Sequence, residues 1–440
     1  MKIKTLSRSS DDYVPVSNQE NVRQARNLDP ELHPFERARE YTRALNSAKM
    51  DRMFAAPFLA QMGRGHIDGV YSMAKTFTRL STVASGSGDG TVKIWDLGSQ
   101  EESWQVQAHQ GIVSGLCFTP NTDLLSCSTD GTVKLWNQSQ TTELQTYLAN
   151  SGVNSIDHHR DDNQFITGGN TLQVWDTQRS KAVSSLSWSA DTITNVRFNM
   201  TETNICASTD NDRAIVIYDL RTSSPVQKMV TSLSSNAIAW NPMEAFNFAA
   251  ASEDHNIYLY DMRNLKRALN VYKDHVAAVM DVDFSPTGQE LVSGSYDRTI
   301  RIYKLREGHS RDVYHTRRMQ KVFSVRYSMD SKYIVSGSDD GNVRLWRANA
   351  NERSNIKSAK QRTKLEYSAA LAERYKHMPE IRKIQKFRNL PKAVQVARKI
   401  KREEETSLKR RQLNRARNSK PGTFNFPKER EKHIEGTGNQ

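Results

Sequence analysis

Three histidines stand at nearly constant distances from an aspartate and an aromatic residue. His66 precedes Asp89 and Trp95, His109 precedes Asp130 and Trp136, and His275 precedes Asp297 and Tyr303; the His-to-aromatic separations are 29, 27 and 28 residues. A His held by a carboxylate is the chemistry of a general base. A reactive site is built once, whereas a repeated structural unit writes its residues wherever its geometry needs them. Recurrence at matched spacing therefore argues against catalysis by these groups.

The remaining candidates for chemistry are weaker. Asp281 and Asp283 share one face of a strand, as metal ligands would, but they stand where that strand meets a Ser-Pro-Thr-Gly turn. Asp157, His158 and His159 are consecutive, and neighbouring side chains of a strand point to opposite faces, so the two imidazoles do not converge on one ion. Residues 86–90 (GSGDG) imitate a phosphate loop, yet a strand follows them where a phosphate site needs a helix N-terminus. There is no Walker lysine, zinc pattern or nucleophile elbow. The chain is expected to be no enzyme, with no cofactor, no metal and no small-molecule substrate.

The elements that must position these residues form a repeat. Seven aromatic anchors, Trp95, Trp136, Trp175, Tyr218, Tyr260, Tyr303 and Trp346, follow one another at 41, 39, 43, 42, 43 and 43 residues, each ending a phrase such as SGSGDGTVKIWD. That period, ending on Trp-Asp or a variant, resembles WD repeats, each of which is one four-stranded blade. The β-branched and aromatic run before each anchor suits a strand. Gly88-Asp-Gly90 and its counterparts at Asp130, Asp254, Asp297 and Asp340 supply the tight turn before it. The expected fold is an all-β seven-bladed β-propeller with an N-terminal strap and a basic α-helical C-terminal tail. Residues 54–62 supply the missing strand of the last blade and close the ring, which removes an exposed sheet edge.

The resemblance to WD repeats implies that each His hydrogen-bonds the turn Asp, with a Ser or Thr linking on to the aromatic. His66, Asp89 and Trp95 then form one structural network, His109, Asp130 and Trp136 a second, and His275, Asp297 and Tyr303 a third. Such networks stiffen a blade when fully satisfied. The third repeat has Asn170 in place of the turn Asp, and no His precedes Tyr218 or Tyr260 at the expected distance. Those blades are expected to be looser, or covered by a partner.

Charge divides the chain. Residues 351–440 hold 25 Lys and Arg against 10 Asp and Glu, whereas residues 1–350 hold 38 against 39. A localised basic stretch is the footprint of a polyanion. The reading is thus an N-terminal extension at 1–51, a propeller at 52–350 and a basic tail at 351–440. Residues 36–53 are expected to be helical, with Tyr41, Ala44, Leu45 and Ala48 on one face. In the tail, Leu365, Ala369, Ala372 and Tyr375 form an apolar stripe on a helix that Pro379 ends. A second helix starts at Pro391 and runs to about Asn418, with Glu403–Glu405 pairing Lys399 and Lys409. It carries Arg398, Lys399, Lys401, Arg402, Lys409, Arg410, Arg411, Arg415 and Arg417, followed by Lys420, and these ten are the expected RNA or ribonucleoprotein contacts. Residues 399–402 and 409–411 also suit nuclear import. Cys117, Cys127 and Cys206 read as small core residues of a reducing compartment. No apolar leader or membrane-length apolar run appears.

Segments outside the generic repeats are more specific: NLDPELHPFE at 27–36, REYTRALN at 39–46, IDHH at 156–159, DLR at 219–221, WNPMEAF at 240–246, VYHTRRMQ at 313–320, NLPK at 389–392 and NSKPG at 418–422. With them the chain resembles the Sof family of WD-repeat proteins over nearly its whole length. The resemblance implies a nucleolar scaffold of the small-subunit processome, required to mature the precursor of small-subunit (18S) ribosomal RNA. Its implied partners are that precursor, the guide small nucleolar ribonucleoprotein and other assembly proteins, with no membrane involved. Animal members also resemble substrate receptors of cullin-type ubiquitin ligases, a role that uses an Arg two residues after the repeat's Asp. Arg221 and Arg263 have that spacing, but behind Tyr218 and Tyr260, where the motif prefers Trp.

Overall fold

Each repeat folds as four antiparallel strands because its apolar residues alternate with a period of two, bracketed by turn formers. In the first blade, Val70–Lys75, Thr82–Ser87, Thr91–Asp96 and Glu101–Gln107 pair in that order. The anchor strand lies third, with Trp95 opposite Val83. The turn before it needs a positive φ. Gly90 supplies it at +82°, and a Cβ there would collide with the His109 carbonyl. In blades four, five and six the same position is held by Arg213, His255 and Arg298, at 64°, 72° and 63°. These non-glycine residues hold a backbone conformation that L side chains seldom adopt.

The computed structural model describes residues 29–188, 191–352, 358–420, 422–424 and 426–439. The first 28 residues, and with them the start of the N-terminal extension, lie outside the described residues. The described residues form two compact units, 58–348 with 389 onward and those up to 57 with 349–388.

The first unit contains seven sheets. The strand Phe58–Gln61 completes the last of them by pairing with Val343–Arg347, Phe58 lying opposite Trp346. The ring is closed by the segment the sequence pointed to. The core lies between successive blades: Trp136 of the second packs with Ala84, Ile94 and Val92 of the first. Trp95 and Trp346 are completely buried, and rings of this size dominate the apolar area removed from water. Near the axis, side chains of one blade hydrogen-bond the innermost strand of the next. Ser72 Oγ donates to the Val113 carbonyl at 3.0 Å, and Asn236 Nδ2 to that of Val279 at 3.0 Å.

This unit also contains a long helix, Lys392–Arg417, and one strand the repeats do not foretell. Ile434–Asn439 adds a fifth strand to the fourth blade, antiparallel to Ser224–Thr231.

In the other unit, α1 (Glu36–Met53), α2 (Ala359–Arg374) and α3 (Pro379–Lys386) enclose Ala44, Ala48, Leu371 and Ile381, with Tyr41, Leu45, Tyr367 and Tyr375 around them. Glu40, buried among them, accepts from Arg374 at 3.1 Å and from the Tyr375 hydroxyl at 3.0 Å. Two expectations change here. The buried face of α2 is set by Leu371 and Ala372, while Leu365 is half exposed. Pro379 opens α3 as its first residue, where the missing N–H costs nothing. α4 (Lys392–Arg417) runs between Pro391 and Asn418 as its spacing implied.

Candidate nucleic-acid and partner interface

The three His networks are assembled with a difference. His66 Nε2 lies 2.6 Å from Ser85 Oγ, which also accepts from Trp95 Nε1 at 2.7 Å. On its other side the ring meets Thr91 Oγ1 at 3.0 Å, and that hydroxyl donates to Asp89 at 2.6 Å. His109 repeats the arrangement with Ser126, Thr132, Asp130 and Trp136. His66 reaches its Asp through a threonine hydroxyl, which corrects the direct bond expected from the resemblance, whereas His109 Nδ1 also lies 3.5 Å from Asp130 Oδ2. Only His275 meets its carboxylate squarely, Nδ1 lying 2.8 Å from Asp297 Oδ2. The Tyr303 hydroxyl beside this pair is buried without a hydrogen-bond partner.

Burial sets the protonation of these groups. It pushes His66 down to about 4, with Lys93 adding to the effect, and lowers His109 and His275 in the same direction. Burial alone would raise Asp297, but His275 and Arg301 hold its carboxyl well below the usual range. These are buried imidazoles, and their geometry is that of structural ties.

The carboxylates considered for metal binding are similarly engaged. Asp281 accepts from the Val325 amide at 2.9 Å and from Arg326 at 2.6 Å. Asp283 accepts from the Tyr327 amide at 2.8 Å and from Lys75 at 2.7 Å. They bind blade six to blades seven and one. Asp157 does the same for the Phe198 amide at 2.8 Å. His159 Nδ1 accepts the Asp162 amide at 2.8 Å and closes a turn. Among the described residues no group of three metal-ligating side chains occurs.

The fourth and fifth blades, whose repeats are the weakest, are covered by the chain's own C-terminus. His433 is buried, its ring stacked on Tyr258 with centroids 3.6 Å apart, and its Nε2 lies 2.6 Å from the Tyr260 hydroxyl. It thus gives Tyr260 the imidazole its own repeat lacks. Its carbonyl accepts from the Ser232 amide at 2.8 Å, the Arg430 carbonyl from the Ala268 amide at 2.9 Å, and Glu429 pairs with Lys273 at 2.5 Å. No repeat spacing could have marked His433, which lies 173 residues beyond its partner.

The cations proposed for RNA divide in two. Arg398 pairs with the buried carboxylate of Asp274 at 3.2 Å, and Lys401 donates to the His275 carbonyl at 3.0 Å. With buried Val394 they seat α4 on the propeller, so these two are intramolecular contacts. Lys399, Arg402, Lys409, Arg410, Arg411, Arg415, Arg417 and Lys420 are exposed. Lys399 pairs with Glu403 at 3.9 Å as its spacing implied, but Lys409 turns to Glu429 at 3.8 Å in place of Glu405.

Arg221 and Arg263 fold back on their own repeats. Arg221 straddles Asp219 at 3.3 and 3.1 Å. Arg263 straddles Asp261 at 3.0 and 2.8 Å and lies over the Phe246 ring at 4.3 Å.

A closed ring of seven units of four repeat strands each, two of them tied by a His–Ser–Trp relay, defines a WD-repeat β-propeller protein. The WD domain, G-beta repeat, matches residues 59–96, 100–137, 141–176, 266–304 and 307–347, and the Sof1-like domain matches residues 348–434. The chain is 54% identical to "Protein SOF1" of Saccharomyces cerevisiae over 99% of its own length and 95% of the relative's. It is 58% identical to "Protein sof1" of Schizosaccharomyces pombe over 99% of both. It is 45% identical to "DDB1- and CUL4-associated factor 13" of Xenopus laevis, again over 99% of both. The chain belongs to the Sof1 family of WD-repeat proteins.

Proposed function

We propose that this protein is a non-catalytic scaffold of ribosome biogenesis. In this reading it acts in the nucleolus as part of the small-subunit processome, supporting maturation of the small-subunit ribosomal RNA precursor. The propeller docks assembly proteins, and α4 contacts precursor RNA or the guide ribonucleoprotein. The observation that carries the reading is the division of charge: a ring of nearly balanced charge bears one long helix with seven exposed cations between Lys399 and Arg417. The polar residues that resemble catalytic or metal pairs are occupied in ties between strands. Depletion of the protein tests this. Accumulation of unprocessed small-subunit precursor, reversed by the full chain, is expected; normal processing after depletion would refute it.

A second reading has one observation in its favour. Relatives of 43–45% identity bear the name "DDB1- and CUL4-associated factor 13". It makes the chain a substrate receptor of a cullin-type ubiquitin ligase, with Arg221 and Arg263 at the adaptor. Both guanidinium groups are exposed yet closed on Asp219 and Asp261, so an adaptor would have to compete with those pairs. Co-purification of the adaptor, lost on replacing both arginines, distinguishes this role.

A further inference from the structure

We infer that the outward face of α4 is a rail for base-paired RNA, read through its phosphates and not through its bases. This rests on the RNA-contact reading above and specifies the class of RNA.

α4 has 26 residues, so it is about 39 Å long. Its inner face is fixed by Val394, by Arg398 on Asp274 and by Lys401 on the His275 carbonyl. Its far half is tied through Lys409 to Glu429, and Glu429 also pairs with Lys273 of the fifth blade. The helix is therefore in place before any ligand arrives. On an exposed flank, roughly a third of a turn round from that face, Lys399, Arg402, Thr406, Arg410, Leu413 and Arg417 follow at separations of three, four, four, three and four residues, which is one helical stripe. From Lys399 to Arg417 the stripe spans roughly 27 Å. Glu403 lies beside Lys399, with which it pairs at 3.9 Å.

Residues 392–417 contain no Phe, Tyr, Trp or His. Single strands are held by stacking bases on such rings, a gain of about 1–3 kcal/mol per base that this face cannot supply. What it offers is a straight row of cations. A duplex presents phosphates at fixed positions and at higher charge density, so neutralising each one releases more counterion than on a single strand. A rigid row of charge thus favours the rigid polyanion, without regard to sequence.

The test is binding of the full chain to a short RNA duplex and to each of its strands, followed from low to moderate salt. The duplex should bind at least about tenfold more tightly, with log K falling against log salt by roughly 0.9 for each phosphate contacted. Replacing Lys399, Arg402, Arg410 and Arg417 together by Gln should reduce that slope by about three to four. These side chains are exposed, so an unchanged melting temperature would show that the variant is folded. A single strand bound as tightly as the duplex would overturn the inference while leaving RNA contact standing. No binding to either would remove both. A variant that kept the affinity and slope of the parent would overturn the assignment to this face.

Discussion

His433 Nε2 lies 2.6 Å from the hydroxyl of Tyr260, inside a blade that begins some two hundred residues earlier in the chain. This contact makes the C-terminal segment part of the propeller. Tyr260 is fully buried, and its hydroxyl needs a partner there. Its repeat provides no His, and the tail brings one.

His433→Ala should therefore destabilise the protein by about 1–3 kcal/mol, because it leaves the Tyr260 hydroxyl buried and unpaired. Adding Tyr260→Phe should cost less than the sum of the two single changes, since each removes the same bond. Denaturant unfolding of the four proteins measures this. Full additivity would mean that the two residues are not coupled.

Stability should fall as the solution becomes acidic, beginning below pH 6.5. Burial holds His66 and His433 at about 4 in the folded chain, against about 6.5 when unfolded. The unfolded chain thus takes up protons that the folded one refuses. The contribution of these residues is complete above the unfolded value and is lost as pH falls towards 4, by up to about 3 kcal/mol for each residue. Melting curves at pH 7, 6 and 5 should show the decline, with a shallower slope in His433→Ala. An identical slope would place the titration elsewhere.

Ser126→Ala should be costly for so small a change. Its hydroxyl lies 2.7 Å from His109 Nε2 and accepts from Trp136 Nε1 at 2.9 Å. Losing it strands two buried groups, an effect of about 2–3 kcal/mol. Hydrogen exchange across the second blade would show the loosening, and unchanged protection would contradict the relay.

Replacing Arg221 and Arg263 together by Ala should leave the melting temperature nearly unchanged, since exposed ion pairs contribute little. Precursor RNA recovered with the protein should be unaffected. Loss of a cullin adaptor from the same purification would favour the ligase reading.

The fold was readable because a repeat announces itself: the anchors and their spacing determined the ring, and residues 54–62 its closure. What escaped depended on contacts distant in sequence or on a choice between equivalent residues. The resemblance brings His66 and Asp89 into one network, but Thr91 between them follows from the position of one hydroxyl. Arg398 and Lys401 look like the other tail cations by composition, and only the docking of α4 shows that they face Asp274 and the His275 carbonyl. Pro379 carries two meanings, a stop or a first turn; the preceding helix does end before it, and the short helix it opens went unread. His433 sits in a polar tail with nothing nearby to mark it as a core residue.

The central claim is that RNA contact resides on α4 while the ring docks proteins. Ultraviolet crosslinking of the tagged full chain in cells, followed by sequencing of the attached RNA, tests it most directly. The parent protein should yield reads concentrated on the small-subunit ribosomal RNA precursor or its guide small nucleolar RNA. The protein carrying Gln at 399, 402, 410 and 417 should lose them while still co-purifying assembly proteins. No enrichment above an untagged control, or the same reads from both proteins, would contradict the account.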